Sequence, residues 1–321
     1  MRQTSTSISQ HVQGAGTKSA WKKFCLHMSR YYEYYLFILP AVAYYIIFAY
    51  MPIYGLQIAF KDYKIALGFS RSPWVGLKHF REYFQSFYFW KTIRNTLALS
   101  VYSLLAGMPW PILLALMLNE LKNERFKKVY QTISYAPHFI SLVVLVGMLQ
   151  LFFNANYGAV NTVLKMLGME THAFMQDPHC FRHLYVWSNV WQQLGWNSII
   201  YVAALSGIDP GLHEAAMIDG ASRLQRIRYI NIPMLVPTIV IMLIMNTGSI
   251  MSVGFIKVFL MHNDLISDVT MVTSMFVYQR GVIDRGYSFS AAVDMFTNVI
   301  NFLLLFSVNQ ISKKLSGVSF F

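Results

Sequence analysis

Residues 209–233 read DPGLHEAAMIDGASRLQRIRYINIP, a polar stretch set between the apolar segments 183–208 and 229–256. Its local chemistry predicts a helix, a bend and a second helix. Asp209 can cap the free amides of a helix start, and Pro210 has no amide to leave unsatisfied. A short helix is expected from Pro210 to about Asp219. Ala215 and Ala216 are small, strong helix formers that permit close approach of another backbone, and Glu214 offers a carboxylate to a basic partner. Gly220 suits a left-handed turn that a branched residue would resist. The basic amphipathic run Ala221–Arg228 can lie along a membrane surface before Pro233 opens the next apolar segment. A bent, rigid lever of this kind transmits motion between two proteins better than a loose loop.

Outward from this stretch, Asp, Glu, Lys and Arg are absent from 34–60, 95–119, 129–164, 183–208, 229–256 and 295–312. About 20 apolar residues cross the hydrocarbon core of a bilayer, so these intervals predict an all-α chain with six transmembrane helices. The sixth is expected to extend N-terminally past Asp294, which must then sit near the interface or face a polar cavity. Hydrophobic residues make up 55% of the 321 and charged residues only 12%, against about 25% charged in a soluble domain. The net charge of +12 is spread over the polar connections, which favours lipid headgroups over nucleic acid. Pro40, Pro52, Pro109, Pro111 and Pro137 lie in or beside the apolar runs, where neighbouring helices can satisfy the freed carbonyls.

With six spans, the N-tail, 120–128, 209–228 and the C-tail share one side. Their Lys and Arg content favours the cytoplasm, although the opposing segment 61–91 is also basic. Cys25 and Cys180, the only cysteines, would lie on opposite sides as unpaired thiols, and neither has metal-ligand spacing. The apolar run after Arg30 continues past Ala41-Val42-Ala43, so an uncleaved first helix is expected rather than a signal peptide. Three regions follow: a tail at 1–33 carrying an interfacial amphipathic helix from Trp21 to Tyr35, a six-helix domain at 34–312, and a C-terminal tail at 313–321.

The order Glu214-Ala215-Ala216, Asp219-Gly220-Ala221, then Ile230-x-Ile232-Pro233 resembles the EAA loop of bacterial ABC importer permeases, with Ile232 where that family usually has Leu. Trp74-Val75-Gly76-Leu77-Lys78-His79-Phe80 resembles a stretch of the first external loop in sugar permeases, with His79 in place of Asn. Arg94-Asn95-Thr96-Leu97 resembles the opening of their next span. Tyr35–Lys61 looks most like the branch that handles complex oligosaccharides, above all permeases for pectin-derived rhamnogalacturonan or polygalacturonan fragments, with alginate importers next.

This resemblance implies a type I ABC importer permease fold in the bacterial cell membrane, with both termini cytoplasmic and a coupling loop at 209–233. It implies four kinds of partner: a similar permease completing a heterodimer, two cytoplasmic ATPases, an extracellular sugar-binding protein, and the lipid. No GxxxxGK[ST] loop occurs in the chain, so no cofactor is expected on it, and ATP and Mg belong to the ATPase. Docking would fall to Glu214, Ala215, Ala216, Asp219, Gly220, Ala221, Ile230 and Pro233.

Sugar recognition in a membrane combines amides that pair hydroxyls with aromatic faces that cover a pyranose. Trp191, Gln192, Gln193, Trp196 and Asn197 suit that role, as do Asn246, Thr247, Ser249, Asn298 and Asn301. The same residues equally suit interhelical hydrogen bonds or an interfacial belt. For a uronide, Arg94, Lys257, Arg280 and Arg285 near the outer side could attract carboxylates. A secondary carrier is the competing class, but it predicts inverted repeats, and the two halves show no convincing similarity. A membrane enzyme is disfavoured: His138, His172, His179 and His183 lack metal spacing or a nucleophile, and the last three are expected in solvent in one external loop.

Overall fold

A computed structural model describes residues 27–317. The expected tail at 1–20, Cys25 and the first turns of the interfacial helix lie outside the described residues, as do 318–321. The chain divides into an N-terminal unit up to Gln57 and a larger unit from Ile58 onward. Among the described residues the secondary structure is helical, with one isolated bridge between Lys61 and Trp74.

The N-terminal unit is built on α1 (Tyr32–Tyr45), which runs through a π turn at Ile46–Tyr50 into a 3₁₀ segment, Met51–Phe60. The π turn stands one turn ahead of Pro52, where the proline ring would otherwise press on the carbonyl four residues back. The whole rod, Tyr32–Phe60, is 29 residues long.

In the larger unit, α2 (Tyr88–Gly107) and α3 (Pro109–Asn119) form one 32-residue rod joined at Met108. Then come α4 (Glu124–Tyr135) and α5 (Leu142–Phe152), the long α6 (Pro178–Ser206), α7 (Pro210–Ile218) and α8 (Arg223–Arg226). The series ends with α9 (Ile232–Thr247), α10 (Phe255–Met261) and α11 (Tyr287–Ser316). Helix α6 is the hub, packing on α2, α3, α4 and α9.

Four helical rods are long and apolar enough to cross a membrane: Tyr32–Phe60, Tyr88–Asn119, Arg223–Thr247 and Tyr287–Lys314. The expected continuous helix over 129–164 is instead broken. Helices α4 and α5 meet at 94°, around a 3₁₀ turn Ala136–Phe139. Pro137 cannot extend α4, and the Ser141 hydroxyl accepts from Val144 N–H to start α5 afresh. The segment 183–208 lies largely within α6, a 29-residue helix made less apolar by Ser188, Gln192 and Ser198, all buried inside the protein. Helix α11 does extend past Asp294, and it carries Lys313 and Lys314 in its last turn.

Two apolar clusters hold the larger unit together. One centres on Tyr83, fully buried, stacked on Phe276 and edge-on to Phe89, Phe289 and Phe296. The other joins Ala115 and Leu116 of α3 to Tyr201, Leu205 and Ile208 at the end of α6 and Leu235 of α9. Because lipid is as apolar as leucine, close packing rather than water expulsion drives helix association here. Gly195 illustrates this: a Cβ there would collide with the Ser134 backbone, so only glycine lets α6 touch α4.

Candidate functional site

The polar stretch at 209–233 folds as its residues dictate. Asp209 Oδ1 accepts from Gly211 N–H at 2.9 Å, and α7 starts at Pro210. At its other end the Ala221 amide donates to Ala216 O (2.8 Å) and the Gly220 amide to Met217 O (3.1 Å). These two bonds close a Schellman turn that requires the left-handed backbone of Gly220, whose φ is +78°. Ser222 and Gln225 then form a reciprocal capping box that starts α8. A π turn at Ile227–Asn231 leads into α9, with Pro233 in its first turn.

Within this elbow Glu214, Ala215, Asp219 and Gly220 are exposed, while Ala216, Ala221 and Ile230 are half-buried and Pro233 is exposed. Leu212, Met217 and Ile218 also face outward, with Ile218 87% exposed. The apolar cluster of Leu205, Ile208 and Leu235 includes Ile227 and Ile230 at its edge, so the elbow is anchored at both ends.

A cavity of about 250 Å³ opens among α2, α3, α6, α9 and the segment 249–254. Asn197 and Asn246 line it together, as does Ser249. Sequence reasoning missed Ser100, Ser103, Tyr185, Asn189 and Tyr201, which share the same wall. Tyr185, Asn189, Asn197 and Tyr201 recur at multiples of four residues along α6, a helical row that was available as a signal.

The remaining residues expected along the path do not line this cavity. Gln193 bonds His138 Nδ1 at 2.9 Å, and Trp196 stacks on that imidazole with ring centres 4.2 Å apart. Gln192 donates to Ile140 O. Trp191 borders an apolar groove with Leu145, Met148 and Phe152. Asn301 is buried, accepting from Met251 N–H and donating to Ser252 Oγ, so it shapes the wall from behind. Asn298 is exposed and donates to Asp294.

Among the basic residues, Lys257 is buried and donates to Tyr185 O at 2.9 Å, so it is spent on packing rather than offered to a ligand. Arg280 pairs with Asp284 at 3.2 Å. Two of the histidines expected in solvent are also less free than expected. His172 pairs with Asp177 Oδ2 at 2.7 Å, and His183 bonds Tyr102 at 2.8 Å. His172, Asp177 and Cys180 place three ligand-type atoms within 4.8 Å of one another. The Asp177 carboxylate in that trio already caps α6 through His179 N–H and takes the His172 bond, which together hold it below the usual carboxylate range.

Comparison with known proteins agrees with this architecture. The family described as binding-protein-dependent transport system inner membrane component matches residues 107–317. Protein LplB of Bacillus subtilis (strain 168) is 39% identical over 87% of this chain and 88% of its own length. The polygalacturonan/rhamnogalacturonan transport system permease protein YteP of the same organism is 37% identical over 92% of each chain. A chain of a bacterial ABC transporter involved in import of the acidic polysaccharide alginate superposes with a TM-score of 0.85 at 37% identity, covering 92% of this chain and 99% of that one. On these grounds the chain belongs to the binding-protein-dependent transport system inner membrane components, and it is a multi-pass permease subunit of an ABC importer.

Proposed function

We propose that this chain forms one half of the translocation route of an ATP-driven importer for acidic oligosaccharides, pectin-derived rhamnogalacturonan or polygalacturonan fragments foremost. The observation that carries the reading is the elbow at 209–233: a capped helix and a glycine turn, anchored at both ends and presenting an exposed face. In this reading the chain spans the membrane six times, with α4 and α5 as one bent crossing and both termini in the cytoplasm. Residues 1–33 and 313–321 are the cytoplasmic tails.

The elbow docks on a cytoplasmic ATPase that holds ATP and Mg. Two such ATPases serve this permease and a similar partner, and an external binding protein delivers the sugar. ATP binding draws the elbows together and opens the cavity at Asn197 and Asn246 outward. Each step requires ligands that bind the two conformations unequally. The 37% identity to the YteP permease and to the alginate importer supports an acidic cargo, and a second solved alginate complex contains a pentasaccharide-bound periplasmic protein.

The test is to purify the chain with its neighbouring proteins and measure which oligosaccharide stimulates ATP hydrolysis. Stimulation by galacturonate-containing fragments is expected. Stimulation by alginate alone would move the cargo, and uptake driven by an ion gradient without ATP would replace the importer with a secondary carrier.

A further inference from the structure

Between the first turns of α2 and α6 lies a second cleft, of about 1040 Å³, which shares no lining residue with the cavity at Asn197 and Asn246. Its wall is cationic. Lys91, Arg94 and Arg182 line it against one carboxylate, Asp268, and that carboxylate is already engaged by Lys91 at 2.5 Å. Two guanidinium groups are therefore left in excess.

Arg94 is exposed and has no acidic partner among the described residues. Arg182 donates to Asn95 Oδ1 at 3.2 Å, while its Nε is buried with no acceptor. Asn95 is itself buried and donates to the carbonyls of Asp268 and Met271, so Arg182 is held by a braced neighbour. The Arg182 Nε is closed off from the cleft, whereas its fork of terminal nitrogens has only the neutral Asn95 oxygen as an acceptor among the described residues, so an anion in the cleft would supply the paired, charge-neutralising bonds that Asn95 cannot.

The rest of the lining fits a sugar. Trp187 Nε1–H can only donate, and it donates to Tyr102 at 3.0 Å; Tyr102 in turn bonds His183 Nδ1, which leaves Nε2 as the free polar edge of an imidazole lining the cleft. Trp90 is 75% exposed at the rim and offers a face for the apolar side of a pyranose. Guanidinium groups match the planar oxygen pair of a carboxylate, and ligand pockets of about 300–1,000 Å³ are of ordinary size.

We propose that this cleft reads the carboxylate of a uronic acid unit, with Arg182 and Arg94 taking its oxygens and Trp90 covering its ring, before the sugar reaches the inner cavity. The assignment rests on the acidic-oligosaccharide reading above and on the start of α2 facing outward.

The test uses the assembled transporter in nanodiscs with its binding protein, titrated with an oligogalacturonate and with its carboxyl-reduced, neutral counterpart while ATP hydrolysis is followed. Arg94→Gln and Arg182→Gln should each raise the half-saturating oligogalacturonate concentration about ten-fold or more, the scale of one lost charge-assisted hydrogen bond. The response to the neutral sugar should stay as in the unmodified permease. Arg94 takes no part in the Asn95 brace, so its variant separates recognition from damage to that brace. Equal oligogalacturonate titrations for both variants and the unmodified protein would overturn the cleft while leaving the importer reading in place. So would an equal loss for both sugars. An anionic phospholipid retained by the unmodified protein, shed by Arg94→Gln and without effect on the titration would reassign the cleft to a lipid headgroup. Failure of the unmodified complex to respond to any oligogalacturonate would remove the acidic cargo itself, and the cleft with it.

Discussion

Gly220 offers the cleanest perturbation of the elbow, because a Cβ added there meets nothing within 4 Å and the only penalty is its φ of +78°. A left-handed backbone costs an ordinary L-residue roughly 1–2 kcal/mol, while Asn tolerates it better and a β-branched residue worse. Gly220→Asn, Gly220→Ala and Gly220→Val should therefore form a graded series. An elbow destabilised by about 1–2 kcal/mol has its formed-to-unformed ratio lowered roughly 5–30-fold. Apparent docking affinity falls with the population of the competent form, so a marginal elbow transmits most of that factor. The assay is ATPase binding to the reconstituted permease pair, read alongside sugar-stimulated ATP hydrolysis. Losses are expected to grow in the order Asn, Ala, Val. Wild-type behaviour of Gly220→Val would refute the claim that the turn matters, and an Asn variant as poor as Val would show that side-chain bulk at a contact, not backbone conformation, sets the effect.

Glu214→Lys should abolish sugar-stimulated ATP hydrolysis while membrane insertion, followed by protease mapping, stays normal; undiminished uptake would contradict the docking assignment. Gly195→Ala should lower the thermal midpoint of the detergent-solubilised complex, since overpacking costs about 1–3 kcal/mol. Gly147→Ala, where a Cβ meets open space, serves as its control, and equal midpoints would dismiss the close approach of α6 to α4. Burial first, and then the Asp177 carboxylate, push the Cys180 thiol above its ordinary range. Removing that charge with Asp177→Asn in a Cys25→Ser background should lower the thiol and speed maleimide labelling at about pH 8, near the ordinary thiol range, and unchanged labelling would deny the contact. Because Asp177 is itself held low, its stabilising bonds are complete above the ordinary aspartate range and are lost as pH falls through the lowered value. Thermal unfolding should accordingly lose this contribution only in acid.

The elbow is legible in the sequence because its folding is local. Asp209-Pro210, Ser222 with Gln225, and Gly220 each act on backbone groups within a few residues. The break between α4 and α5 is harder to see, although Pro137 and Ser141 are both in the sequence, because the absence of charge from 129–164 dominates the pattern. The π turn before Pro233 is invisible for a different reason: it adjusts hydrogen bonding around a proline that the binary pattern permits anywhere near a helix start. For the sugar path, residue type alone cannot separate Asn197, which lines the cavity, from Gln193, which is spent on His138. Lys257 makes the same point: it is a strut because the tertiary fold brings the Tyr185 carbonyl to it, which residue type alone does not reveal.

The break between α4 and α5 is gripped by three positions on α6: Gly195 against Ser134, Gln193 on His138, and Gln192 on Ile140. Fastened at three points along one turn of α6, the kink behaves as a bracket bolted to a shaft rather than as a joint. Only Gly207, Ile208 and Asp209 separate the end of α6 from α7, so a tug on α7 has a short path through the backbone to that bracket.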